Sequence, residues 1–180
     1  MTYILIAIGV ILLWLIFSYN RLITLRNRTQ EALSDIDVQS KRRYDLIPNL
    51  VETVKGYMAH ERDVLENVTK ARTGIMTGGG ALKKADAENV LSGALKTLFA
   101  VSENYPQLRA NENFLKLQDE LSDTENKMQA ARRFYNATVL DLNTKIETFP
   151  TNLMANVLGF QKANFFEAVD TERKPVQVKF

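Results

Sequence analysis

From Thr2 to Tyr19 the chain is uncharged and mostly apolar, with YILIAIGVILLWLIF at its centre. About 18 such residues would span roughly 27 Å as a helix, close to the hydrocarbon thickness of a bilayer. After this run the pattern changes. Leu22, Leu25, Thr29, Ala32, Ile36, Ser40, Arg43 and Ile47 recur by threes and fours, which predicts a helix over about 20–46 that continues the apolar run. Pro48 cannot continue a hydrogen-bond ladder and suits the first turn of a new helix. Its stripe over 48–77 reads Leu50, Val54, Tyr57, Glu61, Val64, Val68, Ala71 and Ile75. Gly78, Gly79 and Gly80 break the pattern. A third helix is expected over about 85–105, with Leu91, Leu95, Leu98, Val101 and Tyr105 ahead of Pro106. The fourth and longest, about 109–149, carries Phe114, Leu117, Leu121, Thr124, Met128, Ala131, Tyr135, Thr138 and Leu142 at coiled-coil-like spacing and stops at Phe149-Pro150. One short turn over 151–158 would end at Gly159.

Four one-sided helices on short turns bury their stripes most simply as an antiparallel up-and-down bundle. The expected fold is therefore all-α: a transmembrane anchor (1–19), a four-helix bundle (20–159) and an extended C-terminal tail (160–180) whose Val176, Val178 and Phe180 alternate. A single kinked helix through Pro48, covered by other copies of the chain, is the alternative. A cleaved signal peptide would need a basic start and a small-x-small cleavage site, and Phe17-Ser18-Tyr19-Asn20 supplies none. Arg21, Arg26 and Arg28 follow the span and no charged side chain precedes it, so the positive-inside rule places the bundle in the cytoplasm and the N-terminus outside.

Composition narrows the function. With 46% hydrophobic and 24% charged residues the chain can bury a core, which excludes wholesale disorder. A net charge of +2, evenly mixed, lacks the one-signed field that nucleic acid selects. Zero cysteines exclude disulfides, thiolate metal sites, cysteine nucleophiles and a lipid-modified cysteine.

Catalytic chemistry is equally thin. His60 is the sole histidine, so HERDV at 60–64 is not HExxH, and the paired Glu-x-x-His motifs of a di-iron bundle cannot be assembled. The triple glycine lacks the spacing and Lys-Ser/Thr of a phosphate loop. No catalytic residue, metal, cofactor or small-molecule substrate is expected. The unusual feature is charge on the apolar stripes. Arg43 and Glu61 fall near the stripe centres, and Glu125 and Arg132 lie within that of the fourth helix. Counting from the Pro48 and Pro106 corners puts Glu61 and Glu125 at similar heights. A paired, partly hydrated ionic network is the expected outcome, with a carboxylate pair for acid-base work or a hard metal ion as the alternative. Lys41, Arg42 and Arg43 form a basic cluster at the expected end of the first helix, either solvated or a docking patch.

The stretch from Ser34 to Arg72, SDIDVQSKRRYDLIPNLVETVKGYMAHERDVLENVTKAR, resembles the signature of the LemA family. The likeness extends to the short span before Tyr19-Asn20, to ARRFYN at 131–136, to Phe149-Pro150 and Gly159-Phe160, and to Phe165-Phe166-Glu167. It implies a membrane-associated four-helix domain and supplies no activity. Relatives are often encoded beside a membrane zinc metalloprotease of the heat-shock type, and one branch belongs to magnetosome membranes. Two departures matter: Tyr44 stands where many relatives carry histidine, and the lipoprotein cysteine of others is missing.

The expected function is a membrane-anchored helical scaffold or adaptor that assembles with itself and with another membrane protein, the zinc metalloprotease being one such partner; a metal- or carboxylate-dependent enzyme in the bundle core, or a membrane-shaping or stress-signalling protein without chemistry, is the alternative. The basic cluster and Phe165, Phe166 and Phe180 of the tail are its docking candidates.

Overall fold

Pro48 costs the first helix one hydrogen bond and does not end it. In the computed structural model, which describes residues 1–77 and 80–166 (side chains of 75–77 and 80–83 excepted), α1 runs from Thr2 to Lys55 with Pro48 inside it. The missing N–H orphans the carbonyl of Tyr44, and the Arg72 side chain bonds to it at 3.2 Å. The helix ends instead at Gly56, a poor helix former. The expected corner at residues 47–48 therefore moves to the turn over 56–61. There Tyr57 and Met58 both donate to the Val54 carbonyl, at 2.9 and 3.0 Å.

The remaining elements are α2 (Arg62–Thr77), α3 (Gly80–Ser102), α4 (Pro106–Arg109), α5 (Glu112–Glu147) and α6 (Thr151–Val157). Among the described residues there is no strand. The third helix starts at Gly80, ahead of the expected 85, and α4 is a single turn that the sequence pattern had merged with the fourth helix. Gly78, Gly79 and the tail from Glu167 onward, including Val176, Val178 and Phe180, lie outside the described residues.

The chain divides into two compact units. The first comprises 1–35 and 131–165. Here Leu22 and Leu25 of α1 are buried with Leu142 and Ile146 of α5 and Ala155 of α6, and Met154, Phe160 and Ala163 pack against them. Gly159, at φ +71°, closes α6: its own N–H donates to the Asn156 carbonyl and that of Phe160 to the Ala155 carbonyl, at 3.3 and 2.9 Å. This is the left-handed glycine cap, with Phe160 on the same apolar cluster as Ala155. The described part of the tail lies on its own α5. The Asn143 amide exchanges two 2.9 Å hydrogen bonds with the Ala163 backbone, and the Tyr135 hydroxyl donates to the Asn164 carbonyl.

The second unit, described over 36–130 together with Phe166, is a helical bundle of α1 from Ile36 onward, α2, α3 and α5 up to Ala130. Its core runs through Ile47, Leu50 and Val54 of α1, Val68 of α2, Leu91, Leu95 and Leu98 of α3, and Phe114 and Leu121 of α5. Phe99 and Phe114 meet edge to face at 6.2 Å. Asn111 caps α5, its Oδ1 accepting from the backbone N–H groups of Asn113 and Phe114.

Candidate functional site

All eight stripe positions from Leu22 to Ile47 are buried, including Thr29, Ser40 and Arg43. Arg43, 2% exposed, is the charge among them and the centre of a buried polar cluster in the second unit. Its Nη1 lies 2.7 Å from Glu125 Oε2, 3.3 Å from Glu88 Oε2 and 3.0 Å from Ser92 Oγ. The Ser92 hydroxyl in turn donates to Glu125 Oε2 at 3.0 Å. Helical geometry explains the convergence: Glu88 and Ser92 are one turn apart on α3 and so project from one face. Glu88 is fully buried, whereas the Glu125 side chain keeps 27% exposure. Two carboxylates thus share one guanidinium, and removal of Arg43 would strand a buried charge.

The cluster lies on a groove of about 790 Å³ between α3 and α5, lined by Arg43, Ser92 and Glu125 on one side and by Lys96 and Arg109 along its length. The charges of the cluster are paired across α1, α3 and α5. No imidazole stands beside Ser92 to activate it, His60 being exposed in the 56–61 turn. Among the described residues no three acidic or histidine side chains converge on a point that could hold a metal ion.

The sequence-predicted residues are distributed differently from expectation. Arg43 and Glu125 do pair. Glu61 does not sit at the height of Glu125, because the corner falls at residues 56–61: from the level of Arg43, α1 climbs about 18 Å before it ends. Glu61 instead ties two corners together, accepting a 3.1 Å hydrogen bond from the Tyr105 hydroxyl, while Asn111 Nδ2 donates to the Tyr57 hydroxyl at 3.2 Å. Burial first, then the hydrogen bond to Glu61 and its charge, push the Tyr105 hydroxyl above its usual pKa. Arg132 belongs to the other unit, where it is half-buried. Glu88 was missed, although one turn before Leu91 and Ser92 it continues the third stripe backwards.

The basic cluster is mid-helix, with Lys41 exposed, Arg42 half-exposed at 3.8 Å from Asp123, and Arg43 withdrawn into the core. Phe165 is 42% exposed and Phe166 buried at 4%; Phe180 is outside the described residues.

α1 is long and apolar enough in its first part to cross a membrane, and 6% of that window is buried. The profile of the LemA family matches residues 32–180. Magnetosome protein MamQ 2 of Paramagnetospirillum magneticum is 25% identical over 188 aligned residues, covering 90% of this chain and 69% of that protein. Protein LemA of Metamycoplasma hominis is 29% identical, covering 87% and 72% respectively. Magnetosome protein MamQ of Magnetospirillum gryphiswaldense is 23% identical over the same shares as the first. None of these names denotes an enzymatic activity.

Proposed function

The chain belongs to the LemA family, and on that premise we propose that it is a membrane-anchored helical scaffold that assembles with copies of itself and with a second membrane protein. One observation carries the reading. The apolar span passes without a break into the part of α1 whose Leu22 and Leu25 are packed against α5 and α6, so the anchor is built into the folded unit. Each copy is then held in one plane and one orientation, where weak lateral contacts suffice and symmetric assemblies follow. The buried ionic cluster pairs Arg43 with Glu88 and Glu125 across three helices, which supports a structural role in place of a catalytic one. The magnetosome names of two relatives favour a membrane organelle or membrane-organising setting.

The N-terminus lies outside and the bundle in the cytoplasm, as the arginines after the span direct. The first partner to test is the membrane zinc metalloprotease implied by the resemblance. Lys41 and Arg42 and the exposed Phe165 are the docking candidates that remain on the surface. Extraction of the native membrane in mild detergent tests the proposal: the particle should contain several copies and a second membrane protein. A monomer free of any partner would refute it.

A further inference from the structure

The segment from Thr148 to Gln161 has no charged side chain, and the first charges on either side, Glu147 and Lys162, pair with each other. The loop is thus an uncharged excursion closed at its base by an ion pair. Its inner face has Thr151 and Ala155 buried, with Met154 and Phe160 packed against the core of the unit. Three large apolar residues point away from that core: Phe149 is 74% exposed, Leu153 61% and Val157 86%. In water such a patch would be a liability.

What that patch faces follows from its neighbours within the same unit. Leu153, Val157 and Leu158 line an apolar groove of about 660 Å³ together with Trp14, Ile16 and Tyr19 of α1. Arg21 is the first charge after the span. The groove residues of α1 therefore lie within about 10 Å of that charge along the helix axis. This is the depth at which headgroups give way to acyl chains, and where Trp and Tyr concentrate.

We infer that α6 is a second membrane element: it lies in the bilayer interface beside the exit of the span, with Phe149, Leu153 and Val157 among lipid chains and the groove between α6 and α1 filled by a phospholipid acyl chain. The inference rests on the anchor proposed above. Its geometry is that of an interfacial amphipathic segment with the apolar side turned to lipid. The Glu147–Lys162 pair marks the polar border, and Arg26, stacked 5.7 Å from the Phe160 ring, stands on the same side.

Trp14 is the only tryptophan, which makes depth measurable in the full chain. The chain is reconstituted in phosphatidylcholine vesicles with and without lipids brominated on the acyl chain. In a Trp14→Phe background, Leu153→Trp, Val157→Trp and, as the most conservative variant, Phe149→Trp should each emit blue-shifted and lose at least half of their fluorescence to the brominated lipid. Val90→Trp, at an exposed position of α3, should be unaffected. Quenching of native Trp14 without quenching at 149, 153 and 157 would overturn the inference while leaving the anchor intact. Absence of quenching at Trp14 itself would defeat the anchor. Unquenched positions that cross-link two copies when changed to cysteine would assign the patch to a second chain and equally overturn the inference.

Discussion

Arg72 of α2 donates from Nε to the carbonyl of Tyr44 at 3.2 Å and lays its guanidinium 3.8 Å above the ring of the same tyrosine. Tyr44 is the residue four before Pro48, so one side chain repairs the bond that the proline removes and clamps α2 onto α1 at that level. A charge-assisted hydrogen bond and a cation–π contact are both engaged. Arg72→Ala should cost about 2 kcal/mol. In a Pro48→Ala background, where residue 48 supplies the missing N–H, the same change should cost about half as much. Thermal unfolding of the four proteins of this cycle gives the coupling, and strict additivity would show that Arg72 does not replace the bond that Pro48 removes.

This contact also explains what sequence reading could and could not reach. The stripe from Leu22 to Ile47 was legible because burial of a helix face imposes its own period, and even Ser40 and Arg43 obey it. The fate of Pro48 was not legible, because local rules price only the lost bond, and its replacement comes from Arg72, 28 positions after Tyr44. Moving that corner also removed Tyr57 from its expected stripe, leaving Met58 buried and Tyr57 38% exposed. The partners of Arg43 are half visible in the sequence: Glu125 lies on the stripe of the fourth helix, but Glu88 falls one turn before Leu91, where the apolar stripe of the third begins.

The Arg43 cluster should dominate the stability of the second unit. Arg43→Met leaves Glu88 fully buried without its counter-charge and should cost about 3–5 kcal/mol. Glu125→Gln, at a partly exposed position, should cost clearly less. Urea titration of the two variants checks the order, and a near-neutral Arg43→Met would show that the cluster is hydrated.

Alkaline pH should loosen the first unit. Burial raises the Tyr135 hydroxyl above its usual pKa, and that hydroxyl donates to the Asn164 carbonyl. A raised folded value means that the contribution is fully present below the unfolded pKa near 10. It is lost as pH rises through the folded value. Tyr135→Phe should cost about 1 kcal/mol at neutral pH and flatten the fall in melting temperature above pH 10. An unchanged alkaline slope in that variant would place the sensitivity elsewhere, with Tyr105 as the next group to test.

The orientation is open to a clean labelling test because the chain has no cysteine. On intact cells, Thr2→Cys should react with a membrane-impermeant maleimide, and Glu120→Cys, at an exposed position of α5, should react only after the membrane is opened. The reverse pattern would put the bundle on the opposite side.

Counting copies in the undisturbed membrane tests the scaffold account most directly. A single fluorophore attached at Glu120→Cys, bleached step by step in native membrane patches with particles well separated and labelling near completion, reports the number of chains in each particle. The account predicts particles with several steps, and a fixed maximum as labelling approaches completion. Single-step bleaching throughout, with particles diffusing as lone chains, would contradict it.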